Sequence, residues 1–215
     1  MRHIPLLFLC LLLQACSQTQ QGLVDTAKLA VMGPDDVTVS DEKIESLPYA
    51  SMYLRINGGQ RIFLVLGYAE QGQQKWVTQN RAMLVTQQGR LVKTLGLSDN
   101  LLEVDNLQQD PLTHPLHIGD GESWTRIMSW TENGQLRASS AVSRFSRGQD
   151  DVLTLAGHQI PCRVWHEEIT LTASGAQWQN TFWIDASSGE VRQSAQQVGA
   201  DTLPVEITIL KPAKS

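Results

Sequence analysis

The chain has 215 residues, 41% of them hydrophobic and 18% charged, with a formal net charge of −5. That length is enough for one substantial core. The 17 basic residues are spread evenly, whereas nucleic-acid binding needs a basic patch, so we expect no nucleic-acid partner. The same even spread argues against a polybasic patch that would attract a membrane surface.

The chain begins with the pattern of a bacterial export signal. Arg2 precedes an apolar run over residues 4–13, about half the ~20 residues that a membrane-spanning helix needs. The run ends in Leu-Gln-Ala-Cys at residues 13–16, which resembles a lipoprotein lipobox. We therefore predict a signal peptide over residues 1–15 and a diacylated Cys16 at the new N-terminus. An ordinary secretory signal, cut nearby, is the alternative.

The residues around the predicted cleavage site also indicate where the protein is anchored. Two or three acyl chains, at about 0.8 kcal/mol per buried CH₂, make such anchoring effectively permanent. By resemblance to sorted lipoproteins, Ser17 in place of an aspartate favours the outer membrane, with the body on the periplasmic side. Residues 16–22 are polar and predict a short lipidated tether. Residues 23–215 are then expected to form a single β-rich domain.

Helical patterns are confined to the first part of the mature chain. Residues 23–32 have apolar positions at helical spacing. Ser40, followed by Asp41 and Glu42, predicts a cap for one further helical turn, which Pro48 ends.

From Tyr49 onward the pattern is that of strands and turns, with tight-hairpin signals such as Asn57-Gly58-Gly59 and Glu132-Asn133-Gly134. Strands are predicted over residues 49–56, 61–68, 75–78, 82–86, 90–95, 124–131, 135–145, 151–155, 163–172, 177–185, 190–198 and 203–210. Residues 97–104 suit a helical turn and residues 110–121 a long loop. The series predicts an all-β domain of about ten to twelve antiparallel strands, barrel-like or a strongly curved sandwich, with a short N-terminal helix.

The three cysteines leave no disulfide in the mature chain. Cys10 departs with the predicted signal and Cys16 is used for lipidation, so Cys162 remains alone. Cys162 lies in an apolar segment, which predicts a buried, inert thiol. A reactive or intermolecular thiol is the alternative.

Several segments match a known family in the same order along the chain. They are residues 47–57 (LPYASMYLRIN), 72–78 (GQQKWVT), 89–94 (GRLVKT), 182–185 (FWID), 189–194 (GEVRQS) and 199–201 (GAD). Together with the lipobox, they resemble the YjbF/GfcB family of outer-membrane lipoproteins, and the similarity runs nearly to the C-terminus.

This resemblance implies a role in producing or exporting an extracellular polysaccharide, of exopolysaccharide or group 4 capsule type. It also implies an all-β, barrel-like fold. An outer-membrane β-barrel protein and a small periplasmic protein of the same pathway are the implied partners. The family offers no catalytic residues to carry over, so only Cys16 transfers as a functional position.

Two groups of residues invite a chemical interpretation. His114 and His117 flank Pro115, which disfavours a shared helical face, and no further ligands complete a metal set, so we expect a solvated loop and no cofactor. On a strand over residues 163–172, His166 and Glu168 share one face while Trp165 and Glu167 share the other. A solvated strand face explains the His166–Glu168 pair without any chemistry. A polysaccharide-modifying enzyme that uses Glu167, Glu168 or Asp185 is the rival hypothesis.

The tryptophans fall on shared strand faces. Trp124, Arg126, Met128 and Trp130 alternate along one strand, and Trp178, Asn180 and Phe182 along another. Filling the core is one interpretation. The other is a glycan-binding or partner-binding surface formed by Trp124, Arg126, Trp130, Trp178 and Phe182.

The leading hypothesis is a lipid-anchored, non-enzymatic accessory protein of polysaccharide secretion that binds either a partner protein or the glycan. A modifying enzyme and a structural envelope lipoprotein with no glycan role are the alternatives.

Overall fold

The structure is a computed structural model that describes residues 35–79 and 81–213. The compact unit that contains the sheet is Val37–Ser215, and the unit before it, Met1–Asp36, lies almost entirely outside the described residues. The predicted signal peptide, Cys16, the tether and the helix over residues 23–32 lie outside them as well, so all four stay predictions.

The described residues contain one short α-helix, thirteen β-strands and three turns of 3₁₀-helix. The helix and strands are α1 Asp41–Ser46, β1 Ser51–Ile56, β2 Ile62–Glu70, β3 Gln73–Val77, β4 Met83–Gln87, β5 Arg90–Leu95, β6 Leu101–Val104, β7 Ser123–Glu132, β8 Gln135–Arg147, β9 Asp151–Leu155, β10 His158–Leu171, β11 Gln177–Asp185, β12 Val191–Gln197 and β13 Pro204–Lys211. The 3₁₀ turns are Leu107–Gln109, Pro111–Thr113 and Pro115–His117. The all-β prediction is confirmed. The added strand is β6, where a helical turn was expected, because Leu101 pairs with Trp130 of β7.

The strands form one antiparallel sheet that curves into a nearly closed barrel. Hydrogen-bonded neighbours follow the order β5-β4-β3-β2-β1-β13-β12-β11-β10-β8-β7-β6, and β9 pairs with the first residues of β10. The strands at the two ends of this order, β5 and β6, are consecutive in the chain. The Leu101 N–H of β6 donates to Thr94 Oγ1 of β5 at 2.9 Å, which joins the two edges of the sheet.

The antiparallel pairing distributes the connections between two ends of the barrel. One end, which we call the loop end, carries residues 71–72, 88–89, 105–122 and 186–190. The opposite end carries residues 57–61, 78–82, 96–100, 133–134, 172–176 and 198–203. The three 3₁₀ turns therefore all belong to the loop end, and two of them, Pro111–Thr113 and Pro115–His117, lie in the segment 110–121 that was expected to be one long loop.

The interior is divided into two apolar clusters. The larger cluster includes the fully buried Met52, Leu54 and Trp76 together with Ile169. The smaller cluster consists of Leu112, Ile118, Phe145, Trp165, Phe182 and Ile184. On β10, Trp165 belongs to the smaller cluster and Ile169 to the larger one. Glu167 lies between them and points inward, with none of its surface exposed.

The short helix forms where its sequence signals predict it. The Ser40 side chain accepts a hydrogen bond from the Lys43 N–H, and two acidic residues in the first turn interact favourably with the helix dipole. Ile44 is the residue of α1 that becomes buried. No helix within the described ranges is long and apolar enough to cross a bilayer.

The last strand departs from the strict alternation of its sequence. Val205 and Ile207 face inward, but the pairing with β1 shifts where Ser51 opposes Lys211 and Met52 opposes Ile209. This β-bulge turns Leu210 inward, with 6% of its surface exposed, while Ile209 is left half-buried. A bulge adds one residue to a strand, so the side chains after it point to the opposite face from the one that strict alternation would give.

Candidate functional site

The five residues considered as a glycan or partner surface all lie inside the barrel. Their exposed fractions range from 0% for Phe182 to 8% for Trp178, and Trp124, Arg126 and Trp130 fall between these values. The structure corrects the surface interpretation and supports the alternative of core packing. The physical reason is that Trp124 and Trp130 of β7 and Trp178 and Phe182 of β11 lie on the strand faces that point toward the barrel interior, where burial of large apolar side chains is favourable.

The buried aromatic residues cover two buried arginines. The guanidinium carbon of Arg126 lies 4.3 Å from the ring centre of Trp124, and that of Arg90 lies 4.5 Å from the same ring. Arg90 also lies 5.3 Å from the ring centre of Phe182. Cation–π contacts of this kind are strongest where both partners are removed from water.

Glu167 is the anion that brings these arginines together. Its Oε2 accepts hydrogen bonds from Arg90 Nη1 at 2.9 Å and from Asn180 Nδ2 at 3.0 Å. Its Oε1 accepts from Ser143 Oγ at 2.6 Å and from Arg126 Nη1 at 3.2 Å. Each carboxylate oxygen thus has two donors, which is the number of lone pairs it offers. These contacts join β5, β7, β8, β10 and β11.

A second anion completes the buried charge cluster, which we define as Arg90, Asp110, Arg126 and Glu167. Asp110 forms a two-pronged ion pair with Arg90, in which Arg90 Nη2 donates to Asp110 Oδ1 at 3.0 Å and Arg90 Nε donates to Oδ2. Asp110 Oδ1 also accepts from the Leu112 N–H at 3.0 Å. Two positive and two negative charges therefore meet, and the pairing fixes the 105–122 connection to the barrel interior.

Within the buried charge cluster, the surroundings shift the pKa values of Glu167, Arg126 and Arg90. Burial alone would raise the pKa of Glu167, but the charges of Arg90 and Arg126 and the hydrogen bonds from Arg90 and Ser143 outweigh it and lower the pKa to about 2. Burial lowers the pKa of Arg126 to about 10, although the charge of Glu167 opposes that shift. Burial also tends to lower the pKa of Arg90, but the charges of Asp110 and Glu167 raise that pKa above its ordinary value.

This geometry bears directly on the rival enzyme hypothesis. The predicted faces of β10 are confirmed, since Glu167 is buried while Glu168 is exposed on the other face. Glu167 is fully hydrogen-bonded and is a poor proton donor at neutral pH. Asp185 Oδ1 accepts from the backbone N–H of Ser187 and Ser188 at 2.8 and 3.2 Å, so it stabilises the turn before β12. These acids do not converge on one open site.

The candidate metal ligands His114 and His117 and the lone thiol of Cys162 do not form a reactive site within the described residues. His114 and His117 lie at the ends of two consecutive 3₁₀ turns. No group of three or more His, Cys, Asp or Glu side chains within residues 35–79 and 81–213 is arranged to hold a metal ion. Cys162 is buried, as predicted, and burial raises the pKa of its thiol to about 11.

An open groove of about 550 Å³ lies at the loop end of the barrel. It is lined by the β2–β3 turn, the β4–β5 turn, the β11–β12 turn and the end of β13. The β4–β5 turn is held there by Gln196 of β12, whose side chain accepts from the Leu91 N–H and donates to the Gly89 carbonyl, both at 2.9 Å. The groove is thus built by hairpins that are fixed to the barrel wall.

Residues 24–210 match the model of the family described as "Group 4 capsule polysaccharide lipoprotein gfcB, YjbF". The chain belongs to this family. The matched residues include twelve complete strands and β13 as far as Leu210, so the match covers the folded body. The resemblance to the YjbF/GfcB family inferred from the sequence is confirmed.

Relatives from Escherichia coli strain K12 match along the whole chain. The uncharacterized lipoprotein GfcB is 50% identical over 213 residues, which are 99% of this chain and 100% of GfcB. The uncharacterized lipoprotein YjbF is 48% identical over 214 residues, with 100% of both chains covered. The crystal structure of the hypothetical lipoprotein YmcC has a TM-score of 0.78 at 50% identity and covers 89% of this chain and 97% of that chain.

The YjbF/GfcB family assignment establishes the protein's general role. Its relatives are lipoproteins, and the family description places them in group 4 capsule polysaccharide production. A lipoprotein of this family is a membrane-anchored protein of the cell envelope.

Proposed function

We propose that the protein is a non-enzymatic accessory of capsule-type polysaccharide production or export, which acts by binding the glycan or a protein of the same pathway. The observation that carries this proposal is the contrast between two parts of the loop end. The buried carboxylate Glu167 is fully occupied by cations and hydrogen-bond donors, whereas the groove above the barrel wall is open. Such a molecule offers a place to bind, while Glu167, the acid that shares a strand face with Trp165, is not available for hydrolysis.

The anchor is part of the proposal. Acylated Cys16 holds the chain in the outer membrane, and Ser17 favours that membrane over the inner one. The barrel then faces the periplasm, where an outer-membrane β-barrel protein and a small periplasmic protein of the pathway are its proposed neighbours. The family description supports a lipid anchor and a capsule role; the membrane and the neighbours are our inference.

Deletion and complementation in the native host test the role. We expect surface polysaccharide to fall when the gene is deleted and to return with the wild-type gene. A folded Glu168→Gln/Asp185→Asn variant should restore output equally, because neither acid takes part in a reaction. Failure of that variant would favour the enzyme, and unchanged polysaccharide in the deletion strain would favour a structural envelope lipoprotein.

Palmitate labelling tests the anchor with a matched cysteine control. Cys16→Ser should abolish labelling and release or mislocalise the protein, whereas Cys10→Ser should leave labelling intact because Cys10 lies inside the predicted signal peptide. Membrane fractionation of both variants then shows which membrane holds the protein. Retained labelling in Cys16→Ser would contradict the proposed lipidation site.

A further inference from the structure

The groove at the loop end has the size of a ligand site. Its volume of about 550 Å³ lies within the range of roughly 300–1,000 Å³ that small-molecule sites occupy. Parts of the chain that are far apart in sequence converge on it, from Ala69 in β2 to Ala213 beyond β13. It therefore depends on the closed barrel and not on any single hairpin.

Side-chain amides give the groove its chemical character. Gln71, Gln74 and Gln88 line it, and none of their side chains makes a hydrogen bond within the described part of the chain. Gln73 lines it too and makes only a long 3.4 Å contact, to Gln87 Oε1. A primary amide both donates and accepts hydrogen bonds, which matches sugar hydroxyl groups, since they do the same.

Apolar side chains lie beside these amides. Ile207 of β13 is buried, while Ile209 and Val191 are half-buried, and all three line the groove. Gln71 and Gln88 are exposed, so the amides lie nearer to solvent and Ile207 lies deeper. A sugar ring presents C–H groups on its faces and hydroxyls at its edge, and this arrangement offers a surface to each.

The charges around the groove favour an uncharged ligand. The described lining includes Glu70 and Glu190 but no lysine or arginine. Lys75 pairs with Glu70 and offsets one of these charges, which leaves Glu190. An acidic sugar or a phosphate would meet a negative side chain with no cation in the lining to offset it.

We propose that this groove binds uncharged sugar units of the polysaccharide, an inference that rests on the proposed role in polysaccharide production. Gln71, Gln74 and Gln88 supply hydrogen bonds to hydroxyl groups, and Ile207 with its apolar neighbours contacts the ring face.

Filling the groove tests the proposal directly. Ala69 is exposed on β2 and lines the groove, so Ala69→Trp places a large side chain in the site without altering the core. A matched control is Ala138→Trp on β8, where the equally exposed Ala138 lines a separate depression of about 300 Å³ beside Trp130 at the opposite end. Gln74→Ala removes one amide and adds no bulk.

The full-length chain, purified from membranes in detergent, is titrated with neutral oligosaccharides released from the host's own surface polysaccharide. We expect Ala69→Trp to weaken binding by at least about tenfold and Gln74→Ala by about threefold to tenfold. Ala138→Trp should bind like the wild type. Oligosaccharides of equal length that carry acidic sugars should bind more weakly than neutral ones.

Other outcomes overturn the proposal and still leave the capsule role testable. Equal binding by wild type and folded Ala69→Trp, or loss of binding only in Ala138→Trp, places any glycan site elsewhere. If the wild type binds no oligosaccharide but Ala69→Trp fails to restore polysaccharide in the deletion strain, the groove docks a protein. In that case the glycan proposal fails while the accessory role stands.

Discussion

The two apolar clusters of the barrel differ in what holds them together. The larger cluster is built almost wholly from strands, so backbone pairing fixes the positions of residues such as Met52, Leu54 and Trp76. The smaller cluster includes Leu112 and Ile118 from the 105–122 connection, which has only short 3₁₀ turns of its own. A segment with little regular structure needs specific side-chain contacts to hold it in place.

The buried charge cluster supplies those contacts. Arg90 joins Asp110 of the connection to Glu167 of β10, directly between the two apolar clusters. Leu112 of the smaller cluster, whose N–H donates to Asp110, has no exposed surface. The larger cluster is therefore stabilised mainly by strand pairing and packing, and the loop end by charges that must remain paired.

The largest expected effect comes from removing the shared anion. Glu167→Gln leaves Arg90 and Arg126 buried with too little negative charge, so we expect a loss of about 3–5 kcal/mol in the free energy of unfolding. Chemical denaturation measures it. Glu168→Gln is the matched control, since Glu168 is exposed, and it should change stability by less than about 0.5 kcal/mol. Similar losses in both variants would show that the buried charge cluster is not the stabilising element.

Acid should selectively weaken the loop end. The pKa of Glu167 is about 2 in the folded protein against an ordinary 4.5, so its stabilising contribution is complete above pH 4.5 and disappears as the pH falls toward 2. The expected loss is about 3 kcal/mol by pH 2, at about 1.4 kcal/mol per pKa unit, and about 2 kcal/mol of it is lost by pH 3. Urea unfolding at pH 7, 5 and 3 should show a steeper decline for the wild type than for Glu167→Gln. Parallel declines would contradict the assignment.

A smaller loss of stability is expected from substitutions at the contact between the β4–β5 turn and β12. Gly89 has a φ of +79°, and a Cβ added there would lie 2.3 Å from Val191 Cβ. Gly134 has a similar φ of +74°, but a Cβ there would meet nothing within 4 Å. Gly134→Ala should cost roughly 1 kcal/mol from backbone strain alone, and Gly89→Ala at least about 1 kcal/mol more from the clash. Equal thermal shifts would show that the turn can move away from β12.

The strands themselves could be predicted because their signals are local. The bounds of β9 and β11 agree with the predicted residues 151–155 and 177–185, since turn residues flank both strands. The first part of β10 was missed because it becomes a strand only through pairing with β9, which contacts His158–Cys162. The bulge at Leu210 was missed for a similar reason, because it depends on the register with β1.

The candidate site was predictable only in part. Alternation placed Glu167 on the same face as Trp165, but the alternation by itself does not distinguish a solvated acid from a buried one that needs cationic partners. Nothing in the local pattern identifies Arg90 as one of them, since 77 residues separate it from Glu167. The Gln-rich turn around residues 71–74 is the part of the groove that is visible in the sequence. It does not identify a binding site, because a polar turn is also typical of an ordinary surface hairpin.

The strand series and the hairpin turns are predictable from the sequence, because period-two alternation and turn residues act over a few positions, and the family is predictable from the matching segments. Alternation also groups residues such as Trp124 and Trp130 on one strand face, but it does not show whether that face points inward. The inward charges that meet, and the turns that form the groove, are known only from the tertiary structure. Those outcomes depend on register and on closure of the barrel, which bring Gly89 of the β4–β5 turn against Val191 of β12.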